Sequence, residues 1–278
     1  MKSLITGCLL LCLSAFAVAD QSPRIGSGVP VLNSMLLSLL QDTDIEVVYV
    51  VPERLPINRI PAWLNRAESG EVEALDALLT IESVWPQLKL YPLLRQASIR
   101  VVPIDVAHEL APGGSRVILM QGREDSDLFW MDLNNLSQMV NVGARDIIRL
   151  WPDQAARIER NRLALQRSVQ QSQVTLDELL MRHDISSVGV SDERLYPLAH
   201  ALGLPLTQAE DADLLLSLSD VSGQVVSEQI VSGLIVSEQV QYQWVINAMI
   251  QFQSVTLEKW LAEQLIALED SLTGNERS

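Results

Sequence analysis

Hydrophobic positions along the chain alternate between short β-branched or apolar runs and stretches with helical spacing. The runs predict strands at 25–31 (with a turn), 45–51, 77–81, 99–104, 186–190 and 214–218. Helices are predicted over 33–41, with Asn33 as the N-cap, and over 90–97 and 195–202. Because strands that alternate with helices favour parallel pairing with right-handed crossovers, the pattern predicts an α/β fold with mostly parallel sheets flanked by helices.

A long segment without proline or glycine separates the two halves of this pattern. Pro152 suits a first helical turn, and no proline or glycine follows until after His183. A helix of this length spans roughly 45 Å, which favours a single rigid helix joining two lobes. We therefore predict an N-terminal α/β lobe at 20–151, a linking helix at 152–183 and a C-terminal α/β lobe at 184–278. The second lobe is predicted to end in a long helix over 241–272.

A short repeat lies in the C-terminal half, where 222–229 and 232–239 carry nearly the same sequence. Two copies are too few for a solenoid. The repeat instead predicts a pair of β-segments joined at Ser232 and Gly233.

The first nineteen residues have the features of a cleaved signal peptide. Lys2 supplies the positive start, 4–18 is nearly all apolar, and 17–19 has the small-x-small pattern of a cleavage site. Cys8 ends a lipoprotein-like box, but the box precedes most of the apolar run, which disfavours lipidation. We expect a secreted, soluble periplasmic protein. Since Cys8 and Cys12 both lie in the removed segment, the mature chain would have no thiol for disulfides or metal ligation.

The chain is strongly acidic, with a formal net charge of −15 that becomes −16 when Lys2 is removed with the signal peptide. This charge disfavours nucleic acid and anionic membranes as partners and is compatible with cations. Acidity also serves solubility, so the charge does not select a ligand.

The sequence lacks the common catalytic motifs that would indicate an enzyme. The sequence contains no Gly-x-Ser-x-Gly elbow, no phosphate loop and no His-Glu-x-x-His helix. Asp192 and Glu193 could act as an acid–base pair, but adjacent carboxylates at a helix start usually cap the helix. We expect no catalytic activity.

Several segments in order carry a family resemblance. They are 25–40, 46–52, the Pro-x-x-x-x-Pro turn at 56–61, 83–91, 99–105, the helix start at 128–135 and 157–165. In this order the chain resembles the periplasmic solute-binding proteins of zinc and manganese ABC transporters. The resemblance implies two lobes that hold one metal ion between them, little hinge movement because the linking helix is stiff, an inner-membrane ABC permease as partner, and a monomer.

Members of that family bind the metal with histidines and carboxylates, a donor set suited to zinc or manganese. The resemblance places the first two ligand positions at Ile57 and Leu128, which are aliphatic here, and the other two at Asp192 and Glu238. Two carboxylates make a weak zinc site, because such sites need about four protein donors. We hypothesise that the cleft does not bind a first-row metal in the family manner, so that a divalent ion such as zinc or manganese would be held weakly.

Buried carboxylates without a cation need another partner, and Arg59 or Arg194 could provide it. Together with Trp63 and Glu193, these two arginines are the candidates for lining the cleft. Three residues, His108, His183 and His200, could supply a rewired site, but they fall on different elements without ligand spacing, which favours surface or capping roles. The run of acidic residues at 124–127 is more typical of a solvated surface loop than of a cation site.

Two functions follow from these observations. The first is the periplasmic solute-binding component of a zinc/manganese-type ABC transporter with an altered or lost metal site. The alternative is a non-transport periplasmic interaction or regulatory protein that retains the fold without metal.

Overall fold

The computed structural model describes residues 22–109, 114–119, 128–219 and 240–274. The predicted signal peptide, the loop at 124–127, the repeat at 222–239 and Glu238 lie outside these residues. The described strands are β1 (Arg24–Ser27), β2 (Glu46–Tyr49), β3 (Ala77–Thr80), β4 (Val102–Asp105), β5 (Val188–Val190), β6 (Leu214–Leu218) and β7 (Tyr242–Ile246). The described helices are α1 (Pro30–Leu39), α2 (Ile60–Leu64), α3 (Tyr91–Ala97), α4 (Leu133–Leu150), α5 (Ala155–Arg182), α6 (Tyr196–Ala201) and α7 (Leu257–Gly274).

The strands form two parallel sheets, one in each half of the chain. The N-terminal sheet has the order β2-β1-β3-β4, and the C-terminal sheet has the order β5-β6-β7. In the first sheet, a Cβ on Gly26 would lie 2.8 Å from the Val48 carbonyl oxygen, so the close approach of β1 and β2 requires glycine there. The predicted α/β class with two parallel sheets is confirmed.

Helix α5 joins the two halves as the sequence predicts. It has 28 residues, and its buried side chains include Ile158, Leu165 and Leu176. Asn161 donates side-chain hydrogen bonds to the carbonyl oxygens of Leu39 and Gln41, at 3.0 and 2.8 Å, and thereby fixes α5 to the end of α1. The helix also packs against α4 and α7. It therefore contacts elements of both halves and positions one sheet relative to the other.

The predicted helix over 241–272 is wrong in its first part. Residues Tyr242–Ile246 form β7, which pairs in parallel with β6, and α7 begins only at Leu257. Trp244 and Ile246 are buried while the residues between and before them are half-buried, an alternation typical of a strand. Pairing with the apolar β6 satisfies the backbone of this segment, which outweighs its helical spacing.

Two predictions near the N-terminus also need correction. Helix α1 begins at Pro30, where the fixed proline φ suits the first turn, and Asn33 lies buried inside the helix rather than capping it. Strand β4 begins at Val102, three residues later than predicted, because Ile99 is largely exposed and lies before the strand.

Within the ranges that the structure describes, no helix is both long enough and apolar enough to cross a bilayer.

Candidate binding cleft between the lobes

Four segments that follow strands of the two sheets converge between the lobes. Ile57 follows β2 and Leu128 follows β4, while Asp192 and Ile250 follow β5 and β7. In parallel sheets the loops at the carboxyl ends of the strands form the usual ligand site, because they meet at one edge. The convergence defines the candidate cleft.

Backbone hydrogen bonds join the lobes at the two aliphatic positions. The Ile57 amide donates to the Ile250 carbonyl at 2.8 Å, and the Leu128 amide donates to the Arg194 carbonyl at 3.3 Å. The side chains of Ile57 and Leu128 are 2% and 1% exposed. The positions that the resemblance assigns to two metal ligands are thus occupied by buried hydrocarbon.

A tryptophan adds a third contact between the lobes. Trp130, fully buried in the short 3₁₀ segment Phe129–Met131, donates from Nε1 to the Ala248 carbonyl at 3.0 Å. Its ring stacks on Trp85 with centroids 6.2 Å apart. From the C-terminal lobe, Trp260 donates to the Asn247 carbonyl at 2.7 Å. These two indoles hold the loop after β7 from both sides.

The loop after β7 has a constrained backbone. Met249 adopts a φ of +52°, which is uncommon for a residue with a side chain, and its amide donates to Asn247 Oδ1 at 3.1 Å. This turn presents the Ile250 carbonyl to the Ile57 amide. The sequence analysis missed the loop because it assigned the segment to a helix. The signal that could have revealed it is Thr256, whose hydroxyl accepts from the Lys259 amide at 3.4 Å in an N-cap arrangement.

An aromatic pair continues the contact between the lobes. The Tyr49 and Phe252 rings stack with centroids 4.2 Å apart, and the Tyr49 hydroxyl donates to the Gly28 carbonyl at 3.2 Å. Burial, with a smaller contribution from the negative charge of Glu53, raises the pKa of the Tyr49 phenol well above its ordinary value. This hydroxyl therefore serves as a neutral hydrogen-bond donor.

Asp192 forms an ion pair with a residue two positions away. It caps the 3₁₀ segment Glu193–Leu195 by accepting from the Arg194 amide at 2.9 Å. Arg194 Nη2 lies 2.7 Å from Oδ2, and Nε lies 3.0 Å from Oδ1, so the guanidinium contacts both carboxylate oxygens. The side chains of Asp192 and Arg194 are 7% and 19% exposed. A side-chain cation from the protein itself thus neutralises the buried carboxylate.

The other candidate residues are more peripheral. Arg59 and Glu193 are exposed, and Trp63 is half-buried in α2 and packs against the core. His108 and His200 are exposed, and His183 is the C-cap residue that follows the last residue of α5. Among the described residues no three His, Cys, Asp or Glu side chains are close enough together to hold a metal ion.

The described part of the cleft does not fit a divalent metal. Zinc and manganese require several nitrogen or oxygen donors, whereas Ile57 and Leu128 offer none and Asp192 is already paired with Arg194. The arrangement instead joins two lobes through apolar packing and backbone hydrogen bonds.

Comparison with known structures shows the class of fold. No protein-family model matches the sequence, and no curated protein sequence matches it. Solved structures that match over about nine-tenths of the chain include the solute-binding protein FpvC in complex with Mn²⁺, ZnuA and a periplasmic metal binding protein, so the chain has the fold that these proteins share. At these low identities the likeness shows the fold alone.

Three of these structures illustrate the likeness. FpvC from Pseudomonas aeruginosa in complex with Mn²⁺ has a TM-score of 0.64 and 15% identity, with 92% of this chain and 98% of that chain covered. ZnuA has a TM-score of 0.59 and 14% identity, with coverages of 91% and 99%. The periplasmic metal binding protein from Candidatus Liberibacter asiaticus has a TM-score of 0.62 and 13% identity, with coverages of 90% and 99%.

Proposed function

We propose that the protein is the periplasmic solute-binding component of a zinc/manganese-type ABC transporter whose metal site has been altered or lost. It would be exported by its signal peptide, act as a monomer without catalytic activity, and dock on an inner-membrane permease. Its parts would be an N-terminal lobe at 20–151, a linking helix at 152–183 and a C-terminal lobe at 184–278. The observation that supports this proposal is the fold, which matches FpvC over 92% of the chain.

The proposal that the metal site is altered or lost rests on the residues at the proposed ligand positions in the cleft. The structurally similar proteins include forms described as bound to Mn²⁺, Ni²⁺, Cd²⁺ and zinc. In this chain two proposed ligand positions, Ile57 and Leu128, are buried hydrocarbon, and a third, Asp192, is paired with Arg194. Glu238, the fourth proposed ligand, would be a single remaining carboxylate. A divalent ion at this cleft would have to displace the Arg194 guanidinium, so we propose weak binding at most.

A denaturation screen tests the binding part of this proposal. Ligand at 100 times its dissociation constant stabilises a protein by about 2.7 kcal/mol, which is readily measured. Chelator-treated protein is unfolded in the presence of zinc, manganese and nickel salts at 100 μM. We expect each shift to be far below that value, whereas a full shift would show a micromolar site. Fractionation of the native cells tests export, with the mature chain expected in the periplasm.

The alternative function is a non-transport periplasmic interaction or regulatory protein, and the closed contact between the lobes favours it. Three hydrogen bonds, Ile57–Ile250, Leu128–Arg194 and Trp130–Ala248, join the lobes directly. Measurement of solute uptake after deletion of the gene separates the two functions. The transport proposal predicts reduced uptake of zinc, manganese or another solute, restored by the gene in trans, whereas the alternative predicts unchanged uptake.

A further inference from the structure

A groove outside the cleft lies between the start of α4, the middle of α5 and the end of α6. It has a volume of about 510 Å³, within the range of about 300–1,000 Å³ that is typical of small-molecule sites. Its lining includes Leu133, Val174, Leu198 and Leu202. Ile57, Leu128 and Asp192 are not part of the lining, so the groove is distinct from the cleft.

A smaller apolar cavity adjoins the groove. It has a volume of about 30 Å³, and Met131, Leu133, Leu176 and Leu198 line both spaces. The inner cavity is also lined by Trp244 of β7 and Trp260 of α7. A space of this size admits one water molecule or the end group of a larger molecule.

The Trp244 side chain lacks a hydrogen-bond partner. Trp244 is 3% exposed, and its buried Nε1 contacts no acceptor among the described residues. The indoles of Trp130 and Trp260, by contrast, each donate to a carbonyl. A buried donor without an acceptor is unfavourable, and native proteins usually satisfy such groups. Trp244 lines the inner cavity, so the cavity is the place where a bound molecule would have to offer this nitrogen an acceptor.

The acidic lining of the groove indicates which charge the other end of such a molecule would carry. Asp132 and Asp177 line it together with Asn134, Gln170 and Gln173, and no Lys or Arg is among its lining residues. A positively charged group would therefore be favoured at the groove and a negatively charged group repelled.

We propose that the groove and the inner cavity form one binding site for a small amphiphilic cation whose apolar end carries an oxygen acceptor. The cationic group lies near Asp132 and Asp177, the hydrocarbon contacts Leu133 and Leu198, and the terminal oxygen accepts from Trp244 Nε1. The site is independent of metal binding in the cleft and goes beyond the proposed function.

Titration with three simple probes tests the proposal. 8-Amino-1-octanol carries both ends of the proposed ligand, octylamine lacks the oxygen, and 1-octanol lacks the charge. In ¹⁵N-labelled protein the Trp244 indole signal is assigned by its loss in Trp244→Phe. We expect 8-amino-1-octanol to move this signal saturably, and octylamine to bind about fivefold more weakly, because one hydrogen bond is missing.

Two variants separate the two ends of the site. Because Trp244→Phe lacks the indole signal, binding to this variant is followed through the backbone amide signals of the groove residues. Trp244→Phe should weaken the binding of 8-amino-1-octanol about fivefold and leave the binding of octylamine unchanged. Asp177→Asn should weaken both amines about threefold and leave 1-octanol unchanged, whereas the control Asp153→Asn, an exposed carboxylate outside the groove, should change none of them.

The proposal is overturned if 8-amino-1-octanol gives no saturable shift of the Trp244 signal. It is also overturned if Trp244→Phe or Asp177→Asn binds this probe as tightly as the natural protein. The proposal is likewise overturned if Trp244 Nε1 is hydrogen-bonded only to a bound water molecule and its signal responds to none of the probes. If Trp244→Phe does not fold, the proposal is tested by the Asp177→Asn titrations and by the comparison of the three probes on the natural protein.

Discussion

Asp192 and Arg194 form an ion pair within a single turn, at the position where the resemblance places a metal-binding carboxylate. The guanidinium contacts both carboxylate oxygens, at 3.0 Å from Nε and 2.7 Å from Nη2. A buried carboxylate needs a compensating charge. Here the charge comes from the chain itself, so the fold requires no divalent ion at Asp192.

Removing one member of this pair should destabilise the protein. Asp192→Asn keeps an oxygen that can cap the 3₁₀ segment but removes the charge, so the ion pair with Arg194 is lost. Since the Arg194 side chain is 19% exposed, we expect a loss of about 1–3 kcal/mol in the free energy of unfolding, somewhat below the values for fully buried pairs. Chemical denaturation measures it.

A double-variant cycle provides the control. The double variant Asp192→Asn/Arg194→Met should lose less stability than the sum of the losses of the two single variants, because both charges of the pair are then removed together. Lys259→Met, which breaks the exposed pair with Glu263, should cost under about 0.5 kcal/mol. Equal losses for Asp192→Asn and Lys259→Met would show that the buried pair has no special role.

Leu128→His should also destabilise the protein. Leu128 is 1% exposed, so the variant loses hydrocarbon packing and buries an imidazole. We expect a loss of about 2–4 kcal/mol, measured by urea denaturation in the presence of chelator. The matched variant Leu163→His, at a 47% exposed position of α5, should cost under about 1 kcal/mol. A tolerated Leu128→His would mean that the cleft is less tightly packed than described.

Tryptophan-to-phenylalanine variants separate hydrogen bonding from packing. Trp130→Phe leaves the Ala248 carbonyl without its donor and should cost about 1–3 kcal/mol, including the loss of packing area. Trp244→Phe removes an indole nitrogen that has no partner among the described residues and should cost clearly less. Thermal unfolding of both variants, without added ligand, measures the difference. The reverse order would contradict the hydrogen bonds assigned to these two indoles.

Glu82 should make stability depend on pH. Burial raises the pKa of its carboxyl group above the ordinary value, although the Tyr91 amide, which donates to Oε1 at 3.1 Å, opposes this effect. The folded protein therefore holds the proton to a higher pH than the unfolded chain, and the Glu82 contribution to stability falls as pH rises from the ordinary carboxyl pKa through the raised one.

Glu82→Gln should remove this dependence, because glutamine keeps an oxygen acceptor for the Tyr91 amide and does not ionise. The stability of Glu82→Gln relative to the natural protein should therefore increase from acidic to neutral pH. Unfolding curves across that range test the sign. A relative stability that decreases towards neutral pH would show that the ionised carboxylate is favoured in the fold.

The sequence predicts most of the fold because its strongest patterns are local. The β-branched and apolar runs identify β2, β3 and β6, and the lack of proline and glycine identifies α5. The helix predicted over 241–272 fails at β7, since the pairing of this segment with β6 is a contact between distant parts of the chain. Asn33 fails as a cap because Pro30 begins α1 earlier.

In the candidate site, too, the contacts that are local in sequence could be predicted and those between distant parts of the chain could not. Arg194 is close to Asp192 in sequence, so it could be named as a candidate partner from the residues. The hydrogen bonds from the Ile57 amide to the Ile250 carbonyl and from Trp130 Nε1 to the Ala248 carbonyl both end on backbone acceptors of the other lobe, and no side-chain pattern in the sequence predicts a backbone acceptor. The assignment of Asp192 and Glu238 as metal-ligand positions stays a prediction.

The most direct test of the central claim is a calorimetric titration of chelator-treated mature protein with zinc, together with the metal content of protein purified from the periplasm without chelator. If the Asp192–Arg194 pair and the buried aliphatic side chains replace the metal, the purified protein should contain no stoichiometric zinc or manganese, and the titration should show no tight site. One equivalent of tightly bound zinc that is lost in Asp192→Ala would contradict the account.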